Sequence, residues 1–110
     1  MIKLHVEFDI QAMEDEGYSY ENFFNFLPEW LQQVGLEIEE SDNNGYVLIK
    51  GPDKNTDLAY IGLVAKAFIE IDWIKKSLKK LLLLTNRGTK DGSFYVEGDF
   101  IKSWKKYNLW

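Results

Sequence analysis

The chain opens on a strict alternation. Ile2, Leu4, Val6, Phe8 and Ile10 are apolar, while Lys3, His5, Glu7, Asp9 and Gln11 are polar. Successive side chains of a strand point to opposite faces of its sheet, so a period of two predicts a half-buried β-strand here. The stretch that follows, AMEDEG (12–17), reads as an acidic connection ending at Gly17. The period then changes. Phe23, Leu27, Trp30, Leu31 and Val34 fall at i, i+4, i+7, i+8 and i+11, one helical stripe, opening at Ser19 and stopping at Gly35. Pro28 interrupts that stripe, because proline removes a backbone donor and crowds the preceding turn. It predicts either a kink or a second short helix with Pro28 in its first turn.

LEIEESDNNGYVLIKG (36–51) reads as a hairpin. Leu36 and Ile38 alternate with Glu37 and Glu39, and the Asn44-Gly45 pair suits the positive φ angles of a tight connection. The returning strand, 46–50, places Val47 and Ile49 on one face. From Asp57 to about Leu84, apolar residues recur every three or four positions through Ile61, Val64, Phe68, Ile71, Ile74, Leu78 and Leu81. This spacing predicts a long helix with a break near Asp72, although the alternation Ile69-Glu70-Ile71-Asp72-Trp73 offers a rival strand. A polar loop (86–92), a short strand (94–97) and a terminal helix capped by Asp99 complete the chain.

The succession is strand, helix, strand, strand, helix, a possible short strand at 94–97, helix. It predicts an α+β fold of two layers, a small antiparallel sheet with helices on one face. The order β-α-β-β-α-(β)-α resembles the ferredoxin-like plan. That plan hosts many unrelated functions and therefore assigns none. With 110 residues and no low-complexity tract, the chain reads as one domain over 1–110.

Charge is distributed unevenly behind a net value of −5. Residues 1–45 hold eleven acids and one lysine, a balance of −10, whereas residues 46–110 hold seven acids and twelve bases, a balance of +5. Cysteine is absent, which excludes disulfides and thiolate metal sites. The longest aliphatic run, Leu81–Leu84, is far too short to span a membrane, and the alternating N-terminus lacks the apolar run of a signal peptide. These features lead us to expect a soluble cytoplasmic protein.

Three groups of residues are candidates for function. The first is His5 with Glu7 and Asp9, where a histidine among carboxylates suits acid-base or metal chemistry. Glu37, Glu39, Tyr46, Lys50, Tyr95 and Glu97 are expected to share that sheet face. The second is the lysine set Lys75, Lys76, Lys79 and Lys80, two i, i+4 pairs on a helix, joined by Lys105 and Lys106 near Trp104, Tyr107 and Trp110. Bases interleaved with aromatics suit phosphate contact and base stacking. The third is the acidic half, where Glu14, Asp15, Glu16, Glu21 and Glu29 flank Tyr18, Tyr20, Phe24 and Phe26. One helical stripe cannot bury all those aromatics, and aromatics rimmed by charge suit a protein interface.

Asp53, Asn55 and Asp57 alternate like the opening ligands of a calcium loop. Such a loop needs glycine sixth and glutamate twelfth, and those positions hold Leu58 and Val64. The stretch therefore reads as a corner, with Asn55 or Thr56 capping the next helix. No nucleophile-elbow, P-loop or dinucleotide motif occurs. The expectation is a non-enzymatic binding or regulatory protein with no cofactor and no metal, engaging another protein or itself as a homodimer. Its charge and size are those of a small acidic inhibitor or immunity-type protein. The alternatives are a nucleic-acid-binding protein using the lysine set, and an enzyme built on His5 and Glu7.

Overall fold

The computed structural model describes residues 1–108 and 110. Its elements are β1 (Ile2–Phe8), α1 (Ile10–Asp15), α2 (Tyr20–Gln32), β2 (Glu37–Ser41), β3 (Tyr46–Lys50), α3 (Asp57–Glu70), α4 (Asp72–Ser77), β4 (Leu78–Thr85), β5 (Tyr95–Asp99) and α5 (Phe100–Lys106). The strands form one antiparallel sheet in the order β2-β3-β1-β4-β5. Between β1 and β2 lies β3, and between β3 and β4 lies β1. Each helical connection thus strides over one strand, a split arrangement of the kind the resemblance implied, but the strand beside β1 is β4, and the expected last strand is β5 at the edge. The fifth strand extends that arrangement beyond the plain four-stranded plan.

The alternation of β1 sets the two faces. Leu4, Val6 and Phe8 are buried with Val47 and Ile49 of β3 and Leu81 of β4. Met13, Leu27, Leu31, Phe68 and Ile74 from the helices join the same cluster, and Phe100, Ile101 and Trp104 of α5 pack against it. All five helices therefore contribute to one apolar layer on one side of the sheet. Lys3, His5 and Glu7 face the other side.

Three local outcomes differ from the sequence expectations, and the break in the long helix matches them. The first strand ends at Phe8, because the Asp9 carboxylate accepts the Ala12 N–H at 3.1 Å and starts α1 where a connection was expected. Helix α2 runs unbroken through Pro28, and the second short helix does not form. The long helix stops at Ile71, whose extended backbone separates α3 from α4, close to the expected break; the rival strand over 69–73 does not form. The largest correction is β4. Residues 78–85 were expected to be helical, yet they form an eight-residue strand beside β1, with Leu83 opposite Leu4 and Leu81 opposite Val6. A continuous apolar run suits either form, and the unpaired backbone edge of β1 decides the outcome.

The corner at 51–57 is also settled by local bonds. Asp57 is buried, and its Oδ2 accepts the Asp53 N–H at 2.9 Å. A side chain at Gly51 would collide with that carboxylate. Thr56 is the N-cap residue of α3, but its side chain makes no capping bond.

Candidate functional site

On the open face of the sheet, β1 presents His5 and Glu7 two residues apart, and His5 Nε2 donates to Glu7 Oε2 at 2.8 Å. Lys80, directly opposite Glu7 on β4, brings its Nζ to 3.5 Å from the same oxygen. The His5 hydrogen bond, with Lys80 behind it, holds the Glu7 carboxyl below its usual range despite partial burial. On the other flank, the Tyr46 ring stands 4.8 Å from the imidazole, and its hydroxyl donates to Glu40 at 2.8 Å. Burial, reinforced by that bond, pushes the Tyr46 phenol up to about 12. Lys3 pairs with Glu39 at 2.7 Å and Lys50 with Glu37 at 3.5 Å.

A carboxylate made more acidic is a weaker base, and a phenol made less acidic is a weaker proton donor. The face is thus a lattice of satisfied pairs, with Leu48 and Leu82 flanking His5 across the strands. Asp9 stands apart as the cap of α1. Tyr95, on edge strand β5, donates its hydroxyl to the Arg87 carbonyl at 2.9 Å. Among the described residues, no three His, Asp or Glu side chains gather closely enough to hold a metal ion.

The lysines do not share one helix face. Lys75 and Lys76 belong to α4, whereas Lys79 and Lys80 belong to β4, with Lys80 opposite Glu7 and Lys79 at the bulge where the pairing with β1 shifts register. Lys76 is held by Asp72 at 3.2 Å and Glu16 at 3.5 Å, and Lys80 by Glu7. Lys75 and Lys105 each stand 5.3 Å from the centre of the Trp110 ring, and Lys106 lies over Tyr107 at 5.7 Å.

The acidic half divides in three. Glu14, Asp15, Glu16 and Tyr18 are exposed around the C-terminal end of α1 and the turn before α2. Tyr20 enters the core at 7% exposure. Its hydroxyl lies beside the Gly45 backbone without a well-formed hydrogen bond, and burial raises its pKa. Phe24 turns toward β2, where it lines a groove with Ile38.

Between α2 and the α3–α4 junction lies a pocket that the sequence reading did not single out. Its volume is about 150 Å³, its walls are Phe26, Trp30, Ile71 and Trp73, and Phe68 lies at its base. Phe26 is 56% exposed and Ile71 38%. Both helices create it: Phe26 and Trp30 stand one turn apart on α2, and the break at Ile71 lifts that residue off the α3 stripe. The rings are held from below, with Trp30 and Phe68 centred 5.7 Å apart and Phe23 meeting Trp73 edge-on at 5.5 Å. Tyr18 lies against the outer side of Trp73. Phe26 was visible as a surplus aromatic; Trp30 and Ile71 were hidden because they also fit a core stripe.

No known family matches this chain, and no curated protein matches it either.

Proposed function

We propose that this is a non-enzymatic binding protein that engages a basic protein partner through the apolar pocket between α2 and α4. The observation that carries the proposal is the convergence of exposed Phe26 and Ile71, with Trp30 and Trp73, on one concave apolar site. Scattered exposed apolar residues are ordinary on any surface, but a concave aromatic cluster is the anatomy of an interface core. A volume of about 150 Å³ suits one aliphatic or aromatic anchor from a partner.

Charge supports the choice of partner. Glu14, Asp15, Glu21 and Glu29 are exposed on α1 and α2, and Asp72 begins α4 with its side chain 75% exposed. Carboxylates around an apolar centre favour partners with lysine or arginine beside the anchor and speed their encounter at low salt. The test is capture from a lysate of the source with the wild type and with Phe26→Asp. The reading expects a stoichiometric basic protein that the variant fails to retain while its circular dichroism is unchanged. Equal recovery by both forms would contradict it.

Nucleic-acid binding draws less support. The six lysines named for that role are spread over α4, β4 and α5, two of them in ion pairs with acids, and two more stand 5.3 Å from the Trp110 ring.

A further inference from the structure

A second, separate site is an open groove of about 670 Å³ between α2 and the edge strand β2. Phe24, Pro28 and Gln32, spaced four residues apart, form the helical wall, and Leu36, Glu37 and Ile38 form the strand wall. Three independent features of this groove point to the same ligand. Strand β2 pairs only with β3, so its outer edge carries backbone donors and acceptors with no strand opposite. Pro28 has no N–H, so the Phe24 carbonyl one turn earlier receives no helical bond from it and is left as an acceptor on the groove wall. Glu37 reaches Lys50 only at 3.5 Å and keeps its side chain 69% exposed, whereas Glu39 is held by Lys3 and Glu40 by the Tyr46 hydroxyl, so Glu37 is the acid open to a ligand.

From these features we infer that the groove binds an extended, basic peptide segment by strand addition to β2. Main-chain hydrogen bonds to the edge would supply affinity, and alternate apolar side chains would enter between Phe24 and Ile38. A lysine or arginine at an intervening position would meet Glu37. Charged edge strands ordinarily guard against sheet-to-sheet aggregation. Here the other edge, β5, is itself acidic through Glu97 and Asp99, so the guard excludes copies of this chain while attracting a basic strand.

The experiment is selection of a phage-displayed heptapeptide library on the whole protein, followed by NMR titration of the enriched peptides. The inference expects sequences alternating apolar residues with Lys or Arg, whose binding shifts and protects the amides of Glu37–Ser41. Glu37→Lys, at an exposed position, should weaken binding about tenfold. Pro28→Ala returns a donor to the Phe24 carbonyl and should weaken binding while raising thermal stability, a combination that damage to the fold cannot produce. Phe26→Asp should leave peptide binding unchanged, so this groove and the α2–α4 pocket stand or fall separately. No enrichment of alternating basic peptides, or enriched peptides that bind Glu37→Lys and wild type equally, overturns the inference.

Discussion

Tyr18 lies flat on Trp73, with ring centroids 4.0 Å apart and planes 10° from parallel. One residue precedes α2 and the other sits in the first turn of α4, so the stack ties the acidic end of the molecule to the wall of the α2–α4 pocket. Phe23 meets the same indole edge-on from the core side. Trp73 is thus held from two directions and presents a fixed wall, and a pre-formed wall lowers the entropy cost of binding.

Tyr18→Ala should cost about 0.5–1.5 kcal/mol beyond the loss of buried area, the usual worth of a stacked aromatic pair. A urea titration measures that loss. Because Tyr18 also steadies Trp73, the variant should capture less partner than its modest destabilisation alone explains.

The identity of 78–85 as a strand has a sharp consequence. Leu81 is fully buried against Val6, so Leu81→Ala should lose about 2–5 kcal/mol. Lys79, exposed and two residues away, should tolerate alanine within about 0.5 kcal/mol. Comparable losses at both positions would contradict the placement of Leu81 in the core with Lys79 exposed at the bulge.

Glu7 makes stability depend on acid. Its folded pKa is depressed from the ordinary 4.5, chiefly by the His5 hydrogen bond and then by Lys80. A depressed carboxylate contributes stability that is complete above its unfolded pKa and is lost as pH falls through the folded value. The difference in urea midpoint between wild type and Glu7→Gln should therefore hold at about pH 6 and shrink toward about pH 3. A difference that grows on acidification would reverse the assignment.

Gly45 joins the β2–β3 turn to the end of β1. Its φ is 106°, its carbonyl accepts the Phe8 N–H at 2.8 Å, and any Cβ there would collide with the Phe8 carbonyl. Gly45→Ala should cost about 1–3 kcal/mol or more, from strain and collision together. Differential scanning calorimetry would register it as a lowered midpoint. Gly35, also at positive φ but with open space around it, should be milder.

Much of this fold could be read from residue order. The alternation of β1, the stripe of α2 with Ser19 as its cap, the 36–51 hairpin and the Asp99 cap of α5 are local signals, and local physics honours them. The exception is the turn, whose positive φ angles fall at Asn43 and Gly45 and not at Asn44. What escaped was decided at long range. Leu81–Leu84 fits helix and strand alike, and only the free edge of β1, some 75 residues earlier, selects the strand. Dissolving that helix also moved Lys79 and Lys80 onto β4, apart from Lys75 and Lys76 on α4, and removed the expected basic helix face. Site residues suffered similarly. His5 and Glu7 did meet, because neighbours on a strand face lie within side-chain reach. The pocket did not announce itself, because Phe26 and Trp30 come from α2, Trp73 from α4 and Ile71 from the junction before it, and two of the four carry the spacing of core residues.

The most direct test of the proposed interface is site-specific photo-crosslinking from two positions in the source lysate. A photoreactive residue at Phe26 reports on the α2–α4 pocket, and one at Leu82 reports on the open sheet face. Crosslinking of one basic protein from position 26, diminished by salt and insensitive to nuclease, is the predicted result. Crosslinks formed only from position 82, or none from position 26, would contradict it.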